Sequence, residues 1–176
     1  RLELLLDAVG HLVEDVGALG DGGLPPLGGR GMCGVEGGID VLGGPAGDIP
    51  LLADVDGDGR IDLVIYRNGT WYTSTRRDGV ADRVNVLGGL PGDIPLLGDL
   101  RCDGVAVRMI YRSGKWLADL AGDGTRTVIA TFGGGADDRP FIADWDSDCN
   151  ADLGIFRDGS WMVIVNPLTA PSLRTA

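Results

Sequence analysis

The chain is poor in the residues that do most enzymatic chemistry. It has one histidine, His11, one lysine, Lys115, three cysteines and an aromatic content of only 6%. No G-x-S-x-G elbow, Cys/His pairing or phosphate loop appears. That leaves paired carboxylates of the glycosidase kind as the remaining catalytic option, and the expectation is that the chain is not an enzyme. Positive charge is scarce as well. Lys and Arg number 15 against 26 Asp and Glu, for a net charge of −11. Nucleic acid, which needs a basic face, is excluded as a partner. No apolar run approaches the roughly 20 residues of a membrane span. Cys33, Cys102 and Cys149 have no metal-ligand spacing, and an odd count leaves at least one thiol free or intermolecular. Arg1 is preceded by no initiator Met and begins no basic-then-apolar leader, so the expectation is a processed signal peptide or a piece of a longer chain.

What the chain does have is glycine, 31 residues in 176. Each interior glycine weakens a helix by about 1 kcal/mol relative to alanine, so long helices are not expected. The hydrophobic fraction of 44% is nonetheless too high for disorder. The length suits one domain or two very small ones.

The glycines recur in a pattern. Gly47–Trp71 and Gly92–Trp116 align without gaps with the stretch ending at Trp161. Asp54, Asp99 and Asp144 stand 45 residues apart, as do Pro50, Pro95 and Pro140, and Arg67, Arg112 and Arg157. Paired glycines at Gly43-Gly44, Gly88-Gly89 and Gly133-Gly134 keep the same step. Each repeat reads as four short strands. In the first these are Ile49–Ala53, Ile61–Arg67, Thr70–Thr75 and Asp82–Leu87, with Asn68-Gly69 as the hairpin signal between the second and third. Four antiparallel strands in about 45 residues is the size of a β-propeller blade. The expected fold is therefore all-β: a propeller of three clear blades, about residues 43–87, 88–132 and 133–176, plus a degenerate one. Residues 1–30 match the repeat poorly, although Leu4-Leu5-Leu6-Asp7 resembles a first strand. Residues Gly31–Gly44 match the end of a repeat, and 31–42 are a candidate to complete the last blade, because no clear fourth strand follows Val165.

The connection between the first two strands carries the chemistry. In the first repeat, Asp54, Asp56, Asp58 and Asp62 occupy loop positions 1, 3, 5 and 9, and the Arg60 carbonyl is available at position 7. Hard oxygen ligands at this spacing can wrap one Ca²⁺, which takes 6–8 oxygens in flexible geometry. The loop is not an EF-hand, since Ile65 stands where that loop requires its twelfth-position Glu. The third repeat offers Asp144, Asp146, Asp148 and Asp152, with Asn150 at position 7 and Cys149 in place of the position-6 glycine. The second repeat keeps Asp99 and Asp103 but has Arg101 at position 3 and Val107 at position 9. The expectation there is that the Arg101 charge replaces the cation by pairing with Asp99 and Asp103. In all, one to two Ca²⁺ ions are expected.

These motifs resemble FG-GAP repeats, also called VCBS or integrin-α N-terminal-like repeats. The resemblance rests on the Gly-Gly connector with Gly-Asp-Ile-Pro, the D-x-D-x-D-G-x-x-D loop, and the Asp-Leu-Val-Ile-Tyr-Arg strand, and covers about residues 31–165. It implies a β-propeller whose calcium ions brace the blades and are not catalytic. It also implies a secreted, periplasmic or cell-surface binding or adhesion module for glycans or proteins. The alternatives are a structural subunit of a larger assembly, or an accessory domain of a polysaccharide-active enzyme.

Trp71, Trp116 and Trp161 recur once per repeat and read either as sugar platforms or as packing between neighbouring blades. Trp145 breaks the period and is a candidate exposed contact. The three repeated arginines are expected to pair with nearby carboxylates, and Tyr66, Tyr111 and Phe156 to be core. Cys102 and Cys149 fall in equivalent loops on one rim, where a bridge depends on how closely those loops approach.

Overall fold

The computed structural model describes residues 42–44, 46–169 and 171–175. All lie in one compact unit, Gly37–Ala176. The readings placed on residues 1–30 and 31–41 fall outside the described residues. Among the described residues there is no helix, and the strands form three four-stranded antiparallel sheets.

The first sheet is β1 (Ile49–Ala53), β2 (Asp62–Arg67), β3 (Thr70–Ser74) and β4 (Arg83–Val86), in that order. The second is β5 (Ile94–Gly98), β6 (Val107–Arg112), β7 (Lys115–Ala118) and β8 (Thr127–Thr131). The third is β9 (Arg139–Ala143), β10 (Asp152–Arg157), β11 (Ser160–Val165) and β12 (Ser172–Thr175). Their registers repeat: Ala53 pairs with Asp62, Gly98 with Val107, and Ala143 with Asp152. The third sheet therefore completes itself. A turn at Asn166, whose carbonyl accepts the Thr169 N–H at 3.2 Å, returns the chain so that Ser172–Thr175 pairs with β11. A fourth strand does follow Val165, which corrects the expectation that none does.

Alternation along β2 places Asp62, Val64 and Tyr66 on one face. Cross-strand pairing puts Trp71 on the same face, opposite Tyr66. That face packs on Ile110 and Leu117 of the second sheet. The second sheet repeats the arrangement, with Met109, Tyr111 and Trp116 packed on Leu153 and Ile155 of the third. Trp71 and Trp116 are completely buried, each edge-on to its tyrosine at 5.1 and 4.9 Å. Burying an indole excludes water from about 150–250 Å² of surface. These two residues are core and offer no face to a sugar, which corrects the platform reading for them. Among the described residues no further sheet covers Trp161, which remains 42% exposed. The row of three sheets is not closed among the described residues.

A carboxylate–arginine clamp holds each sheet to the connector before it. Arg67 donates to Asp48 at 2.5 and 2.8 Å, Arg112 to Asp93 at 2.5 and 2.8 Å, and Arg157 to Asp138 at 2.6 Å. The same aspartates accept connector amides, as at Gly44 and Gly134. The repeated arginines are thus structural, as expected. The connector also passes close over the β2–β3 hairpin. A Cβ on Gly69 would lie 2.7 Å from the Gly89 Cα, so only glycine fits there.

Candidate metal centre

Each acidic loop is a short link between two paired strand ends. Position 1 follows the last residue of the first strand, and position 9 is the first residue of the second (β2) or its equivalent. The ladder fixes both positions, and seven residues must turn between them. Left-handed backbone recurs at positions 4 and 6: Gly57 and Gly59, Cys102 and Gly104, Ser147 and Cys149. Cys149 therefore holds φ 79° where the first two loops use glycine.

The aspartate at position 1 ties each turn from inside. Asp54 accepts the N–H groups of Gly57 and Gly59, each at 2.7 Å. Asp99 accepts those of Arg101 at 3.0 Å and Gly104 at 2.7 Å. Asp144 accepts those of Asp148 at 3.1 Å and Cys149 at 3.0 Å. Burial pushes the Asp99 carboxyl up, but these amides outweigh it and leave it below the usual range. The loops also bond to one another. The position-8 amide of each donates to the position-1 carbonyl of the loop before it: Ala106 to Asp54 at 2.7 Å, and Ala151 to Asp99 at 2.6 Å.

Position 9 points inward because it shares the strand face of the core residues. Asp62 is 0% exposed and Asp152 1% exposed. Asp62 accepts the Val55 N–H at 3.0 Å, and its other oxygen is buried with no hydrogen-bond donor. Asp152 accepts the Trp145 N–H at 2.9 Å and the Asn166 N–H at 3.1 Å. Burial raises both carboxyls above the ordinary value. Their neighbours Asp56 and Asp58, and Asp146 and Asp148, push in the same direction, against those amides. A buried carboxylate among like charges is stabilised by a cation at the centre of the loop.

The two loops gather their carboxylates differently. Asp54, Asp56 and Asp58 bring oxygens within 4.8 Å of one another, and Asp62 lies outside that trio. In the third sheet the trio is Asp144, Asp146 and Asp152. Asp148 there is outside it and accepts the Asn150 N–H at 2.8 Å. In the first loop the Arg60 N–H donates to Asp58 in the same way, at 2.9 Å. The donor sets are all hard oxygens, which suits Ca²⁺.

Arg77 is a partner of the first loop that the spacing did not single out. It reaches the first loop from the β3–β4 connection, 19 residues from Asp58, and pairs with it at 2.7 Å. This guanidinium holds the Asp58 carboxyl below its ordinary value. Arg101 does not play the expected part. Its side chain donates to the Leu120 carbonyl, while only its backbone N–H meets Asp99. Arg108, also unforeseen, pairs with the buried Asp119 at 2.8 Å and reaches Asn85 of the first sheet at 3.1 Å.

Cys102 and Cys149 form a disulfide, with Cα atoms 5.1 Å apart. It joins the second loop to the third. Trp145, at position 2 of the third loop, is 45% exposed as expected. No family model and no curated protein matches the chain.

Proposed function

We propose that this chain is a calcium-binding module of the FG-GAP type, built on the propeller plan, which presents a binding surface for glycans or proteins outside the reducing cytosol. The observation that carries the cation reading is the comparison at position 9. That core-facing site holds Asp62, Val107 and Asp152 in three loops that turn the same way. The middle loop keeps the turn with valine there, so the fold does not demand a buried carboxylate. Asp152 belongs to the gathered trio of its loop, and Asp62 carries the same chemistry at the same position of the first.

The cation's part is structural. Carboxylates and a backbone carbonyl would hold it, leaving few positions for a substrate. When bound, it supplies charge that offsets the clustered aspartates and stabilises the folded state by linkage. The Cys102–Cys149 disulfide supports a secreted, periplasmic or cell-surface location, because such bonds persist in oxidising compartments. Trp145 and Trp161 are the exposed aromatics on which a ligand could stack.

The deciding experiment is calorimetric titration of Ca²⁺ into metal-stripped protein, with melts before and after. Saturable binding and a raised melting temperature are expected, both lost in Asp62→Asn/Asp152→Asn. Absence of both in the unaltered chain would overturn the reading.

A second reading, a subunit of a larger assembly, is favoured by the two ends of the row, which no further sheet covers among the described residues. The third sheet leaves its last packing face lined by Phe141, Phe156 and Trp161, with Trp161 4.7–5.2 Å from the two phenylalanine rings. The first sheet exposes Leu52, Leu63, Val84 and Val86. Concentration-dependent mass in sedimentation, abolished by Trp161→Ser, would support this reading, and a monomer at every concentration would discard it.

A further inference from the structure

The first loop already faces a positive charge of its own. Nη2 of Arg77 donates to both oxygens of Asp58, at 2.7 and 2.9 Å, and stands 3.2 Å from Oδ1 of Asp62. Its Nε donates to the Ile61 carbonyl at 2.9 Å. One guanidinium thus spans positions 5, 8 and 9 of the loop. Oδ1 of Asp62 is buried and accepts no hydrogen bond, so Arg77 meets it by charge alone. A second arginine, Arg83, lies 3.7 Å from Asp56. One repeat further on, the position of Arg77 is Gly122, and two repeats on it is Pro167. Neither carries charge, and in the third loop the buried Asp152 joins the trio of oxygens.

We propose that Arg77 is a resident competitor for the first loop: a divalent cation enters between Asp58 and Asp62 only as the guanidinium withdraws. This inference rests on the cation reading given above. It makes the two loops unequal. The third loop fills first, and the first loop fills at higher Ca²⁺, with Arg77 and the β3–β4 connection released as it does. The first loop therefore has two arrangements, arginine in or cation in, and the coupling between them is reciprocal. Arg77 sets the affinity of the site without being one of its ligands. Its own backbone is left-handed, φ 60°, and the contacts to Asp58 and Ile61 hold it there.

The test isolates the first loop by silencing the third with Asp152→Asn, then compares that protein with Arg77→Gln/Asp152→Asn and Arg77→Lys/Asp152→Asn. Calorimetric titration with calcium chloride is the readout, with melting temperature as a second. The glutamine variant is expected to bind about tenfold more tightly, and the lysine variant to fall between. The natural Gly122 and Pro167 at the equivalent positions show that the sheet forms without this side chain. Equal affinity in all three proteins, with binding present, would overturn the role of Arg77 and leave the cation reading standing. No binding by any of them or by the unaltered chain would overturn both.

Discussion

The second and third acidic loops follow one path with different contents. Both have left-handed residues at positions 4 and 6, both are tied by their first aspartate, and both hang from the preceding loop by the same amide. Yet the second has Arg101 and Val107 where the third has Asp146 and Asp152. The difference separates two jobs that the motif D-x-D-x-D fuses. Position 1 shapes the turn in every repeat. Positions 3 and 9 are surplus to the turn, and in the third loop they concentrate charge around one point.

The harshest way to break the comparison is to separate the two loops. Replacing Cys102 and Cys149 by serine removes a closure spanning 47 residues. The chain-entropy relation puts its worth at roughly 4 kcal/mol. A fall in melting temperature on the order of 10 °C is expected by differential scanning calorimetry. An unchanged melt would mean that the stacked cores alone set stability.

Calcium should sharpen the contrast. At a hundredfold excess over Kd, each occupied site adds about 2.7 kcal/mol. Thermal melts of Asp152→Asn should lose the contribution of the third loop, whereas Val107→Ala should leave the calcium shift intact. Loading the second loop with the missing ligands comes next. Arg101→Asp with Val107→Asp should cost about 1–3 kcal/mol without metal, through a buried unsatisfied carboxylate, and regain it with calcium as a new site forms. Calorimetric stoichiometry checks this, and failure to gain a site would show that the loop's shape is insufficient.

The smallest effect is expected from Asp103→Asn against Asp148→Asn. In metal-free protein both exposed changes should stay within about 0.5 kcal/mol. Only the second should weaken calcium binding in a titration.

Much of this was legible in the residues. The 45-residue step, read with the Asn68-Gly69, Ser113-Gly114 and Asp158-Gly159 turns, places eleven of the twelve strands, because each repeat must satisfy the same ladder. β12 escaped because Ser172–Thr175 has no apolar alternation, and its pairing with β11 is set by the Asn166 turn. The burial of position 9 follows from strand alternation, but the fate of Trp161 does not. It repeats Trp71 and Trp116 in sequence and differs in that, among the described residues, no following sheet lies over it. Arg77 was invisible for the opposite reason. It is not repeated, and its contact with Asp58 crosses from another connection. Arg101 was misread because charge alone suggested a carboxylate, whereas its guanidinium reaches the Leu120 carbonyl.

The disulfide also has a mechanical meaning. A chain drawn out by its two ends would surrender the first sheet and β12 in the ordinary way, but the 47-residue span closed by Cys102 and Cys149 could not be paid out. At about 3.4 Å per extended residue, roughly 160 Å of length stays locked until the bond is reduced. For a protein placed between two surfaces, the second and third loops would act as a knot that holds under tension while the strands on either side give way.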